Sequence, residues 1–240
     1  MRIYHTSDLH NHLGIVQPLR ALALAEAGLL FDCGDSLRGS QTVYHKNEPI
    51  IAQIDAAHYD AQAIGNREFH YLFNLLRARA AQMAHPLICS NLIDTKGRTL
   101  PFVDHLRLET PQGPVYVAGL LIVQYPQGSF WERVFGWRFL DPGTVISEHA
   151  KRVRAGELFV VLSHLGLGLD RKLAAAVPRI ELLLGGHSHD TLAQPEVVGD
   201  VPIVHAGPYG KFVSSTNLHF DAAQSRYRVD HFELLPLLGQ

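Results

Sequence analysis

The sequence predicts an α/β protein in which mixed β-sheets form two layers with helices outside. Three observations carry this reading. Strand-like and helix-like segments alternate from residue 2 to residue 93, the pattern that builds parallel sheet. A β-hairpin signal follows, DHLRLET and PVYVAGLLIV joined by the turn PQG. Beyond residue 200 the chain reads as three strands, VPIVHAG, VSSTNLHF and YRVDHFEL.

Taken in order, RIYHTS is a short strand that runs into Asp8 and His10. PLRALALAEA carries helical spacing and good helix formers, and GLLFDCGD is a buried strand ending in a turn. PIIAQIDAAHY is a second helix, DAQAIGN a strand that stops at Asn66, and FHYLFNLLRARAAQM a long amphipathic helix. The apolar strand PLICSNLI precedes the hairpin. Residues 124–143, rich in Gly, Pro and aromatic side chains, read as a loop. Helix TVISEHAKRVRA, strand LFVVLSH, helix DRKLAAAV and strand IELLLGGHSH complete the alternation.

Composition bounds the function. An apolar share of 47% is enough for a sizeable core, and a net charge of −2 leaves no basic footprint for nucleic acid or anionic membrane. No apolar run reaches the roughly 18 to 20 residues of a spanning helix. The two cysteines, Cys33 and Cys89, sit in strand-like runs as free thiols, and MRIYHTSDLH lacks the apolar core of a signal peptide. A cytoplasmic location is therefore expected, with no membrane or nucleic-acid partner; oligomeric state is not readable.

Chemistry collects where strands end: Asp8-Leu9-His10, Gly34-Asp35, Gly65-Asn66, Ser163-His164 and Gly186-His187-Ser188-His189. In α/β sheets ligands gather at the carboxyl ends of strands, so these segments are placed to meet in one crevice. Two carboxylates, one amide and four imidazoles mix hard oxygens with borderline nitrogens, a set that suits Mn, Fe or Zn. Seven donors exceed one tetrahedral ion but serve two ions sharing a carboxylate. Such a pair, about 3.5–4 Å apart, holds a hydroxide nucleophile for in-line displacement.

In order, SDLH, GDSLRGS, GNREF, LSHLG and GGHSH resemble the motifs of the calcineurin-like metallophosphoesterases, and within them the catalytic domain of the 5′-nucleotidase group. The resemblance runs from about residue 3 to about residue 221 and includes PIVHAGPYGKF. It implies a four-layer αββα sandwich with two mixed sheets and two divalent ions. Asp8, His10, Asp35 and His189 would hold one ion; Asp35, Asn66, His164 and His187 would hold the other, with Asp35 bridging. It further implies hydrolysis of a small phosphate ester, a nucleotide-like monoester or diester, by a metal-bound hydroxide.

Two departures stand out. The group has His where this chain has Arg67 and Asp where it has His70. Arginine cannot act as a general acid near neutral pH, so Arg67 is expected to clamp phosphate oxygens, with His70 on the same helical face as a candidate proton donor. Residues 1–240 are also expected to form a single domain without the nucleotidase group's C-terminal nucleotide-binding domain. Substrate contacts would then fall to Asn91, Arg38, His12, His205 or the loop around Tyr125, Phe130 and Trp131. The competing reading is a metal-binding regulatory or ligand-binding protein that has lost useful turnover through Arg67.

Overall fold

A computed structural model describes residues 1–238. The elements follow the chain as β1 (Arg2–Thr6), α1 (Val16–Ala25), β2 (Leu29–Asp32), α2 (Pro49–Ala57), β3 (Ala61–Ala63), α3 (Phe73–Ala80), β4 (Leu87–Ile88) and β5 (Leu92–Asp94). Then come β6 (His105–Thr110), β7 (Gly113–Leu121), α4 (Phe130–Phe135), β8 (Trp137–Phe139), α5 (Pro142–Ala150), β9 (Leu158–His164) and α6 (Leu167–Ala176). The chain closes with β10 (Leu182–Gly185), β11 (Glu196–Val198), β12 (Val201–His205), β13 (Phe212–Asp221) and β14 (Arg226–Pro236).

One sheet has the order β14-β13-β1-β2-β3-β4 and the second β11-β12-β10-β9-β7-β6. Both are mixed: β1, β2, β3 and β4 run parallel while β13 and β14 are antiparallel, and β7, β9, β10 and β12 run parallel between antiparallel β6 and β11. The sheets face each other across Ile3, Phe31 and Ile88 on one side and Val117, Val160 and Leu184 on the other. Outside the first sheet lie α1 and α2, packed through Leu19, Ile50 and Ile54; outside the second lie α5 and α6, through Ile146 and Leu173. This is the expected αββα sandwich. Strand β9 is buried along its whole length, which is why LFVVLSH reads as a continuous apolar run and not an alternating one.

Three local expectations are corrected. The helix expected from Phe69 begins at Phe73, because residues 66–68 form a turn instead. The expected strand PLICSNLI splits into β4 and β5 around Asn91. The expected loop 124–143 contains α4 and β8, and β8 pairs with β5 while Trp137 sits fully buried among Phe69, Phe73 and Phe139.

Candidate metal centre

Asp8 and His10 follow the end of β1, Asp35 that of β2 and Asn66 that of β3, His164 closes β9, and His187 and His189 follow β10. All seven named donors thus stand beyond or at the carboxyl ends of parallel strands, and the structure brings them together. His10 Nε2 and His189 Nε2 face each other at 2.9 Å, with Asp8 Oδ1 at 3.8 and 3.5 Å from them. Beside this set, His164 Nε2 lies 3.3 Å from Asp35 Oδ1 and 3.3 Å from His187 Nδ1, and the Asn66 amide is 3.4 Å from His187 Nδ1.

The donor atoms of Asp8, His10 and His189 lie within 4.8 Å of one another, and so do those of Asp8, Asp35 and His164. Asp8 is therefore common to both close groups, a place the resemblance gives to Asp35.

The backbone is forced into this arrangement. Among the described residues, Asp8, His10, Asn11, Asp35, His187 and His189 all have positive φ, a conformation that Asp, Asn and His tolerate better than most side chains. Gly65 is required: a Cβ there would stand 2.4 Å from the Asp35 nitrogen.

Electrostatically the pocket calls for positive charge. Burial opposes protonation of His164, but the facing Asp35 and Asp8 carboxylates outweigh it and raise the imidazole to about 9. Burial would raise Asp35, yet His164 and the Arg67 backbone N–H hold it down at about 2. Burial, then the Arg67 charge, lowers His10 to about 4 and leaves it a neutral ring able to ligate. His164 Nδ1 is directed at the Cys33 carbonyl at 2.7 Å, which fixes its proton there and turns Nε2 toward the carboxylates. Carboxylates and lone-pair nitrogens converging in this way fit divalent cations.

The other sequence candidates divide. Arg67 is at the site: its backbone N–H donates to Asp35 Oδ1 at 2.8 Å, and Nη1 donates to the carbonyls of Leu37, Arg38 and Gly39. Arg38 lines the same cavity of about 280 Å³ with Asp35, Asn66 and Arg67, although its Nη2 is engaged by the Asn47 carbonyl. His70 does not share a helical face with Arg67, since the segment is not helical. It is buried and its Nδ1 accepts the Leu72 N–H.

Asn91 is buried and spends its amide on both the N–H and the carbonyl of Leu121, tying the link between β4 and β5 to the end of β7. His205 is buried against Asp170 at 2.8 Å. Tyr125 is buried, donating to the Trp137 carbonyl, while Phe130 and Trp131 lie exposed on α4.

Three residues that shape the site were not singled out from sequence. Glu68, fully buried, accepts the backbone N–H groups of Asp35, Ser36, Leu37 and Gly65, so it clamps two site loops. Arg79, from α3, is equally buried and donates to the carbonyls of Ser40, Val43, Arg67, Glu68 and Phe69. Gln124 donates to Asn66 Oδ1 at 3.0 Å and to the Ile122 carbonyl, and accepts from Gln41. Glu68 lay within the GNREF motif; Arg79 and Gln124 carried no motif signal.

No family model matches the chain. It is 29% identical over 239 residues to the uncharacterized metallophosphoesterase YunD of Bacillus subtilis (strain 168), covering 93% of this chain and 51% of that protein. With the 5′-nucleotidase of Homo sapiens it shares 26% identity over 269 residues, 92% of this chain and 46% of the relative. Both alignments span about half the length of the curated relative.

Among solved structures, the 5′-nucleotidase precursor from Thermus thermophilus gives a TM-score of 0.83 at 24% identity over 99% of this chain and 54% of its own. The calcineurin-like phosphoesterase YfkN from Bacillus subtilis gives 0.77 at 19% identity, over 100% of this chain and 91% of its own. At these identities the structural matches establish the fold.

Proposed function

Because this chain is a member of the calcineurin-like metallophosphoesterase superfamily, of the kind found as the catalytic domain of 5′-nucleotidases, we propose that it hydrolyses a small phosphate ester at two divalent ions. One observation supports this above the others: seven side chains from five strand ends converge, with the donor atoms of Asp8, His10 and His189, and those of Asp8, Asp35 and His164, within 4.8 Å of one another and His187 and Asn66 beside them. Asp8, His10 and His189 would hold one ion and Asn66, His164 and His187 the other, with Asp35 or Asp8 shared. Mn, Fe or Zn suits these donors. Divalent ions held there would supply an activated water and neutralise phosphoryl oxygens.

The chain's own residues set the rest. Glu68 and Arg79 hold the Asp35 and Asn66 loops in register. Arg67 commits Nη1 to loop carbonyls and keeps its charge beside Asp35, where it meets the oxygens of an incoming phosphate. With arginine in place of histidine there is no side-chain acid at that position, so the leaving oxygen takes its proton from solvent. Esters with acidic leaving groups are then favoured. Relatives named as 5′-nucleotidases point to a nucleotide-like monoester, and the open cavity beside Arg67 leaves room for a diester.

A second reading, a binding or regulatory protein with little turnover, is favoured by Arg67's ties to the carbonyls of residues 37–39, which suit a structural role. Release of p-nitrophenol from the mono- and diester, by protein stripped of metal and reloaded with Mn²⁺, separates the two. Metal-dependent release from either ester supports hydrolysis, and none from a protein shown to bind Mn²⁺ supports the second reading.

A further inference from the structure

Tyr209 has a backbone that its side chain should disfavour. Its φ is +67°, and among the described non-glycine residues at positive φ it is the one that is neither Asp, Asn, His nor Ser. A bulky residue in this region is a real outlier, and such strain persists where the surroundings over-determine it. The surroundings here are the metal centre: the Tyr209 N–H donates to the Asp8 carbonyl at 2.8 Å, and the next residue, Gly210, also has positive φ. A small or polar residue would satisfy that turn more easily, so the ring itself needs a reason.

The ring stands against three imidazoles. Its centroid lies 5.5 Å from His10 and 5.4 Å from His189, both candidate ligands of the first ion, and 4.9 Å from His12. His12 is exposed and carries no ligand role. Its Nδ1 is directed to the Leu9 carbonyl at 3.0 Å, which places the ring proton there and leaves Nε2 without a partner among the described residues. Tyr209 is half-buried, beside the first set of donors. The exposed Lys211 ammonium lies 6.0 Å from the ring centroid. This wall belongs to the His10 and His189 side of the centre, whereas Arg67 and its cavity belong to the Asp35 and Asn66 side.

We infer that Tyr209 and His12 form a subsite for a planar aromatic group attached to the phosphate, so that the chain selects aryl, benzyl or nucleobase-bearing esters over plain alkyl ones. The inference rests on the reading that the phosphate sits at the metal centre. A ring laid against Tyr209 gains an offset or edge-to-face contact, with His12 flanking it and Lys211 adding positive charge.

The test uses binding alone, so it stands apart from turnover. The Mn²⁺-loaded protein is titrated calorimetrically with benzylphosphonate and with n-propylphosphonate. Wild type is expected to bind the benzyl compound about tenfold more tightly, the size of one aromatic contact. Tyr209→Asn, which tolerates positive φ and removes the ring, is expected to erase that preference while keeping Mn²⁺ affinity; Tyr209→Phe is expected to retain it.

Equal binding of the two phosphonates by wild type, or no binding of either, overturns the subsite. So does a preference that survives Tyr209→Asn, or a loss of Mn²⁺ affinity in that variant, since the ring would then serve only to support His10 and His189. A benzyl preference without ester turnover would uphold the subsite and count against hydrolysis.

Discussion

Arg67 holds Asp35 from two directions: its backbone N–H donates to Oδ1 at 2.8 Å, and its guanidinium Nε stands 3.8 Å from Oδ2. The carboxylate assigned by resemblance as the metal bridge is thus partly engaged by a fixed cation. A guanidinium competes with a dication for the same oxygen, and its charge repels that dication.

Arg67→Ala is accordingly expected to bind Mn²⁺ severalfold more tightly and phosphate more weakly, read by calorimetry as opposite shifts in the two affinities. Arg67→His restores a group that titrates near neutral pH. It is expected to raise kcat on alkyl esters by about 10²-fold and to change p-nitrophenyl esters little, because only the poor leaving group needs the acid.

Gln124 directs Asn66, since its amide is pinned by Ile122 and Gln41 and donates to Asn66 Oδ1. Removing such a partner of a ligand typically costs about 10–100-fold in metal affinity. Gln124→Ala is expected to weaken the more loosely held Mn²⁺ by about 10-fold, with the unfolding midpoint of the metal-free protein nearly unchanged. Unaltered binding of both ions would remove Gln124 from the site.

Arg79 is a structural matter. Arg79→Leu strands five carbonyls, those of Glu68 and Phe69 buried, and is expected to lower stability by about 3 kcal/mol or more in urea unfolding of the metal-free protein. Arg79→Lys is not expected to rescue it, because one ammonium cannot span the fork of a guanidinium.

His149, buried on α5 with Nδ1 2.7 Å from the Tyr116 hydroxyl, gives the protein an acid weakness. Burial, and then the charge of Arg152, lowers its pKa from 6.5 to about 4. The folded state therefore keeps it neutral while the unfolded chain takes a proton, so stability is lost as pH falls from about 6.5 toward 4. His149→Gln is expected to flatten the fall in Tm over that window relative to wild type. An unchanged slope would assign the acid sensitivity elsewhere.

Much of this was legible in the sequence because the information is local and repeated. Long buried strands such as LFVVLSH announce themselves by apolar runs, and each donor sits at the end of such a run. The misreadings arose where long-range polar contacts override local pattern. Phe69 fits a helical stripe, but Glu68 is captured by four backbone N–H groups from two loops, and the helix starts only at Phe73.

Strands β8 and β11 are three residues each, too short for alternation to register. Asn91 and His205 have the residue types of a binding site, yet the Asn91 amide is spent on Leu121 and the buried His205 turns its Nε2 to Asp170. Tyr209's positive φ is set by its contact with Asp8, far away in sequence, and has no composition signal.

The central claim is that the strand-end donors form a working dinuclear centre. Its most direct measurement is a Mn²⁺ titration of the metal-free protein that follows bound metal per chain and p-nitrophenyl ester turnover in the same samples. Turnover that stays near zero through the first equivalent and rises with the second is the predicted result. Saturation at a single ion with full turnover, or two bound ions with no turnover on monoester or diester, would contradict it.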